Sequence, residues 1–379
     1  MNTVILQQPK RLIFGPGCAQ RCAEEFTLAG RKRLFVVTGP HVAKATAGLV
    51  DSWRAAGFVV EVCNHVNREP ETALFEEVVA LARKFQPDGI VGLGGGSPID
   101  TSKLVAALYD GKQKPSEVFG LNNLKGRSLW LACIPTTAGS GAEVSPNAVL
   151  IDESLKKGVV SPFLVADLAI CDPDLTISSP PSVTASTGID ALVHCMEGYA
   201  NKAAHPTVDL YALEGIRRIS RSIETAVKQG TDRNARTDVM LGAIYGGLCL
   251  GPVNTAAVHA LSAPLGGEYR VAHGIANSLL MPHVFRFNLP AMPERYADIA
   301  IALGVKPAGT PLATAEAGLA KLTALSLACG VPQRLRDVNI PEADLPKCAH
   351  AASKIQRLLK NNPREVTEAD ALAIFQASY

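Results

Sequence analysis

Over its first 180 residues the chain alternates short β-branched or aromatic runs with helically spaced apolar stretches, and this alternation leaves few folds open. Leu34-Phe35-Val36-Val37-Thr38, Val59-Val60-Glu61-Val62, Gly89-Ile90-Val91-Gly92-Leu93 and Leu129-Trp130-Leu131-Ala132-Cys133-Ile134 read as strands. Between them, Val42 to Ala56, Glu71 to Phe85 and Pro98 to Leu108 carry apolar residues at helical spacing. Strand then helix, repeated, implies a mostly parallel sheet covered on both faces. The β signal then fades near Ser178-Ser179-Pro180-Pro181, where paired prolines stop the preceding element.

Helical patterns follow: Val183 to Ala200, Thr207 to Gln229, Arg233 to Leu250, Thr255 to Leu261, Met292 to Ala302, Pro311 to Cys329, Pro346 to Leu359 and Thr367 to Gln376. A chain of 379 residues, at roughly 150 per domain, has room for two. The expectation is an α/β, Rossmann-like dinucleotide-binding domain over 1–180 and an all-helical domain over 181–379. Leu241 to Gly267 carries no charge, yet Pro252, Asn254, His259 and Pro264 interrupt it. A protein interior satisfies such groups and lipid does not, so a buried central helix is predicted rather than a membrane span.

A formal charge of +2 is too small for a nucleic-acid footprint, and small molecules are the expected partners. Nine cysteines without a CxxC pair read as reduced thiols, and the first residues lack the pattern of a signal peptide. Both point to the cytoplasm.

Two loops suit a nucleotide. Gly94-Gly95-Gly96-Ser97-Pro98-Ile99-Asp100 leaves a strand and enters a helix: Ser97 fits the cap, Pro98 the first turn, and Asp100 the capping-box position. Its glycines let free N–H groups approach a pyrophosphate, although such a loop is also found as a plain tight turn. Pro135-Thr136-Thr137-Ala138-Gly139-Ser140-Gly141-Ala142-Glu143 follows another strand with hydroxyls suited to phosphate or ribose, or to an ordinary helix cap. After the Leu34 run comes Gly39, where a carboxylate would repel the 2′-phosphate of NADP. NAD and NADP both stay open.

Asp190 and His194 stand at i and i+4 on one helix face, which suits adjacent metal ligands and equally an Asp–His hydrogen bond. His259 lies in the uncharged stretch, and Pro264, Gly266 and Gly267 are expected to break its helix before Ala272-His273-Gly274. A chain reversal there would bring His259 and His273 together. One carboxylate and three imidazoles suit zinc or ferrous iron better than calcium or magnesium. His41, His65, His205 and His350 read as surface groups; for His283 a structural role and a place near the site are equally open.

Taken jointly, these motifs resemble the iron-containing, or group III, alcohol dehydrogenase family. The resemblance spans the chain, from Phe14-Gly15-Pro16-Gly17 to Asn362-Pro363-Arg364. It implies a dehydroquinate synthase-like architecture, a homodimer, and cofactor and metal in the cleft between the domains. It implies Asp190, His194, His259 and His273 as metal ligands, catalytic through one divalent cation: Fe2+, with Zn2+ or Ni2+ accepted by the same donors. It implies Gly95, Gly96, Ser97 and Asp100 as the pyrophosphate turn, with Gly39, Thr136, Thr137, Ser140, Asn147 and Lys157 as further cofactor contacts.

Three departures stand out. Ala263 occupies the place of a second histidine proposed to assist proton transfer in many members. Gly39 replaces an aspartate common in NAD-preferring ones. Arg270, three residues before His273, brings a fixed charge that could recognise an anionic substrate or serve a surface ion pair. The implied activity is alcohol oxidation or aldehyde reduction; a maleylacetate-type reductase, a cyclase of the dehydroquinate synthase kind and a non-catalytic nucleotide sensor are the rival readings.

Overall fold

The computed structural model describes residues 3–152 and 155–379. The chain forms two compact units: one of residues 7–137 and 141–179, the other of residues 3–6, Ala138–Ser140 and Pro180–Tyr379.

The first unit is built on a six-stranded sheet, β1 (Arg11–Phe14), β2 (Arg33–Val37), β3 (Val59–Cys63), β4 (Gly89–Gly94), β6 (Trp130–Pro135) and β9 (Leu168–Cys171), in the order β1-β9-β6-β4-β2-β3 with every pairing parallel. Helices α1 (Cys22–Leu28), α2 (Pro40–Ala45), α3 (Ala47–Ala55), α4 (Thr72–Phe85) and α5 (Gly96–Leu108) connect the strands. Strand residues alternate between two cores, as a period of two requires. Leu34 and Val36 of β2 pack with Phe26, Trp53 and Phe58 on one face. Phe35 and Val37 pack with Phe75, Val79 and Leu104 on the other. From β2 the chain moves outward to β3, then returns to β4 on the opposite side of β2. The carboxyl ends of β2 and β4 therefore flank the point where winding reverses, which is where open α/β sheets bind ligands.

A second, three-stranded sheet of β5 (Gly120–Leu121), β7 (Asn147–Asp152) and β8 (Leu155–Val160) is a feature that the sequence reading lacks, as it lacks β1 and β9. β7 and β8 pair antiparallel.

The second unit is helical throughout its described residues from Pro181 onward: α6 (Pro181–Tyr199), α7 (Pro206–Lys228), α8 (Arg233–Leu250), α9 (Ala257–Tyr269), α10 (His273–Asn288), α11 (Pro293–Ala302), α12 (Pro311–Ala328), α13 (Leu345–Ser353), α14 (Gln356–Leu359) and α15 (Glu368–Ala377), with short 3-10 turns between some of them. From Gly188 to Tyr199 every residue of α6 is buried, the signature of a helix packed on all sides. The uncharged stretch is divided between α8 and α9, and no helix among the described residues is long and apolar enough to cross a membrane.

Pro264 does not end the helix that carries His259. α9 runs on to Tyr269 and stops at Arg270, which adopts a left-handed φ of 57°. Full burial of Leu261 and Leu265 on either side of Pro264 outweighs the one backbone hydrogen bond that proline cannot make. The chain then reverses, and α10 begins at His273 itself.

All nine cysteines are free thiols. His41, His65 and His350 are exposed, the last two beside Glu77 and Glu368. His205 caps α7 by accepting from the Thr207 N–H, and His283 is partly buried, which lowers its pKa.

Candidate metal centre and nucleotide loops

In the helical unit, three helices deliver the candidate ligands to one point. Asp190 and His194 come from α6, His259 from the first turn of α9, and His273 from the start of α10. Asp190 Oδ1 faces the Nε2 atoms of His259 at 3.6 Å, His194 at 3.9 Å and His273 at 3.9 Å. Tetrahedral coordination at about 2.1 Å sets neighbouring donors about 3.4 Å apart, so these separations lie a few tenths of an ångström outside a closed zinc or iron shell. The ligand atoms of Asp190, His259 and His273 all lie within 4.8 Å of one another. His194 stands at the edge of that trio, stacked on His259 with ring centroids 4.7 Å apart.

The donor set fits a divalent transition metal. Burial pushes the Asp190 carboxyl up, but the surrounding imidazoles and a hydrogen bond from Asn277 more than reverse it, bringing it to about 2. The carboxylate is therefore ionised at neutral pH. Burial lowers the pKa of His194 despite that carboxylate, which favours the neutral imidazole that metals bind.

Two residues at the centre escaped the sequence reading. Glu197 lies on α6 at i+7 from Asp190, the same face; its carboxylate takes a 2.6 Å contact from His259 Nδ1 and accepts the N–H groups of Ala256 and Val258. A carboxylate on Nδ1 fixes the tautomer that leaves the Nε2 lone pair free for a metal ion. Extending the Asp190-x-x-x-His194 spacing by one turn would have found it. Asn277, one turn after His273 on α10, directs its amide at Asp190 and two of the imidazoles.

The glycine of Ala272-His273-Gly274 has a packing reason. A Cβ on Gly274 would stand 2.2 Å from the Ser186 carbonyl oxygen, so only glycine lets α10 rest against the α6 backbone one turn before Asp190. Ala263 is partly buried and offers no proton donor. Arg270 is solvent-exposed and forms the left-handed cap of α9.

In the α/β unit, Gly39, the Gly95-Gly96-Ser97 turn and Thr136-Thr137 follow β2, β4 and β6, three neighbouring strands. The Thr136 N–H donates to the Gly94 carbonyl at 2.9 Å, tying two of these loops together. The capping expectation is corrected here. Gly95, extended, is the N-cap of α5, and Ser97 already lies in the first turn without a capping hydrogen bond. Glycine starts the helix two residues early because no side chain opposes it, leaving its first N–H groups free for an anion. Asp100 makes no capping box: its carboxylate accepts the Val149 N–H at 3.0 Å, and burial lifts its pKa to about 6.

Asn147 opens β7, and Lys157, on β8, pairs with Asp152 at 2.7 Å and sits over the Phe119 ring. Both stand on the small sheet rather than on the glycine turn. Ser140 belongs with the helical unit. Fully buried Lys103, absent from the sequence reading, holds the Ser145 and Asn147 carbonyls at 2.8 Å each. It lies seven residues after Gly96, where an amphipathic reading treats it as surface.

Glu143, at the end of the second loop, is buried, and desolvation raises its carboxyl from 4.5 to about 7. A carboxyl raised on folding stabilises fully below its unfolded value, and that contribution is lost as pH rises through about 7. Glu143→Gln is thus expected to flatten the loss of stability between about pH 5 and pH 8.5, by up to about 3 kcal/mol. Urea midpoints of both proteins at the two pH values check this.

The chain is matched over residues 9–173 by the model for iron-containing alcohol dehydrogenase and over 184–379 by that for the C-terminal part of the Fe-containing alcohol dehydrogenase family. It is 38% identical to long-chain-alcohol dehydrogenase 1 of Geobacillus thermodenitrificans, over 97% of this chain and 96% of that protein. Among solved structures, a 1,3-propanediol oxidoreductase superposes with a TM-score of 0.96 at 34% identity, covering 100% of both chains. The sulfoacetaldehyde reductase of Bifidobacterium kashiwanohense, solved in complex with NAD+, superposes with a TM-score of 0.89 at 26% identity over 100% of this chain and 99% of that one. Its dehydroquinate synthase-like architecture, an α/β half followed by a helical half, is that of these relatives, and the chain belongs to the iron-containing alcohol dehydrogenase family of oxidoreductases.

Proposed function

We propose that this protein is a metal-dependent, NAD- or NADP-linked alcohol dehydrogenase that also runs as an aldehyde reductase on small substrates. The observation that carries the reading is Asp190 Oδ1 facing three imidazole Nε2 atoms at 3.6 to 3.9 Å in a buried site. Asp190, His194, His259 and His273 would hold one divalent cation, Fe2+ by family and by donor type, with Zn2+ or Ni2+ accepted by the same atoms. When bound, the cation polarises an alcohol or carbonyl oxygen, and a nicotinamide exchanges hydride with the adjoining carbon.

The protein's own groups position these partners. The free N–H groups at the start of α5 suit the pyrophosphate, and Gly39 leaves no acid to repel a 2′-phosphate. A Cβ at Gly39 would meet the Val66 carbonyl oxygen at 2.8 Å, so the backbone has no room for an acidic side chain there. His259 Nδ1 is held by Glu197 and cannot shuttle protons, and Ala263 supplies no relay. Proton exchange is assigned to water or the cofactor hydroxyls.

The test is a panel of neutral and anionic aldehydes with metal-reconstituted protein and each reduced nicotinamide. Reduced cofactor is expected to disappear in proportion to substrate, with kcat/KM for NADPH within about tenfold of that for NADH, since no charge repulsion of a few kcal/mol separates them. A cyclase or a sensor would leave the reduced cofactor unconsumed. Arg270→Ala, run on the same panel, assigns the guanidinium to substrate recognition only if anionic aldehydes alone lose rate.

A further inference from the structure

We propose that Asn277 is a positioning residue of the metal centre, whose side-chain amide fixes the ligating oxygen of Asp190 and the tautomers of His259 and His273. This rests on the reading above that these residues hold a cation. Asn277 is fully buried on α10. Its amide nitrogen lies 2.6 Å from Asp190 Oδ1, 3.2 Å from His259 Nε2 and 3.3 Å from His273 Nε2.

The amide can point only one way. Turned over, its oxygen would stand 2.6 Å from a carboxylate oxygen with no proton between them. The nitrogen therefore faces the ligands, even though this leaves Asn277 Oδ1 buried without a hydrogen-bond partner. A protein keeps such an unpaired oxygen only where the opposite end of the amide is strongly held.

The consequence concerns the imidazoles. An N–H donor facing Nε2 requires a lone pair on that nitrogen, which places the ring proton on Nδ1. That is the tautomer whose Nε2 lone pair is available to a cation, which displaces the amide hydrogen from the imidazoles while the amide keeps its bond to Asp190. For His259 the constraint is doubled by Glu197 on Nδ1; for His273 the amide supplies it from the Nε2 side. The same N–H group anchors Asp190 through the oxygen that faces all three histidines, so the carboxylate does not rotate away from them. Outer contacts of this kind are worth about 10- to 100-fold in metal affinity.

Asn277→Leu keeps the volume and removes the donor. In the full-length protein, Co2+ is titrated against a competing chelator, and the visible spectrum of the Co2+ complex is recorded. The variant is expected to bind Co2+ about 10- to 100-fold more weakly with a shifted spectrum, while its thermal midpoint in chelator stays close to that of the parent. An unchanged dissociation constant and spectrum would overturn the proposal and leave asparagine as filler. Should the leucine variant not fold, Asn277→Ser decides by the same measurement, because its hydroxyl ends one bond short of the amide nitrogen that reaches Asp190. A parent protein that takes up no stoichiometric Co2+, or a His273→Ala variant that binds it equally well, would sink the metal reading itself and this inference with it. That outcome is distinguishable from failure of the Asn277 variants alone.

Discussion

Asp190→Ala is expected to lose bound metal and catalytic activity together, with kcat/KM falling by at least about a thousandfold, beyond the 10- to 100-fold typical of outer-shell changes. The carboxylate supplies the anionic donor of the set; the three histidines bring neutral nitrogen. It is also the hub, since Oδ1 is the atom that all three Nε2 positions and the Asn277 amide address. With its carboxyl held at about 2, it carries full charge across the working pH range, so no change of buffer mimics its removal. Alanine leaves three inward lone pairs with nothing to gather them. Metal content by elemental analysis and steady-state kinetics on the same preparation check the outcome. A variant that kept both metal and rate would show that the histidines suffice, or that the chemistry lies elsewhere.

Much of this arrangement is legible in the sequence, because helical spacing fixes relative direction. Asp190 and His194 at i and i+4 share a face of α6, and the break between His259 and His273 requires a reversal. What the spacing could not convey was where the reversal falls. Pro264 reads as a helix stop, yet burial of Leu261 and Leu265 carries α9 five residues past it, and the turn is made by Arg270 in a left-handed conformation. α10 was hidden for a similar reason: Pro282 lies inside it, and a helix apolar on most sides has no clear polar face to reveal its period.

In the α/β half, the runs that became β2, β3, β4 and β6 announce themselves by β-branched content. Asn147–Asp152 and Leu155–Val160 do not, since the hairpin carries Lys156 and Lys157 and pairs far from the main sheet's pattern. The glycine turn reads from its sequence as the strand-to-helix loop it is, but with its cap at Ser97 in place of Gly95, because propensity favours Ser97 and the local backbone favours Gly95. Asn277 and Lys103 share one cause of invisibility. Each is a polar residue whose burial depends on tertiary partners distant in sequence, and no local pattern marks that.

Gly274→Ala should disable the centre without touching any ligand. The added Cβ would stand 2.2 Å from the Ser186 carbonyl oxygen and 2.7 Å from its carbonyl carbon, and both are backbone of α6. Neither can swing aside as a side-chain tip could, so the first turn of α10 must back away from α6. His273 is the adjoining residue and moves with it, whereas Asp190, one turn beyond Ser186, stays with α6. Alanine ordinarily favours a helix over glycine by about 1 kcal/mol, so a net loss of stability would itself measure the clash; overpacking of this kind costs about 1–3 kcal/mol or more. A displacement on the order of 1 Å at a reacting centre lowers rate by about a hundredfold, and that is the expected fall in kcat/KM, accompanied by weaker metal retention. Gly266→Ala is the internal control, since a Cβ there meets only the Val271 carbonyl oxygen at 3.7 Å, an ordinary contact. Thermal midpoints, metal content and kinetics of the two variants side by side decide the matter: equal behaviour of Gly274→Ala and Gly266→Ala would mean that α10 is not seated on α6 through this glycine, and that the position of His273 has another origin.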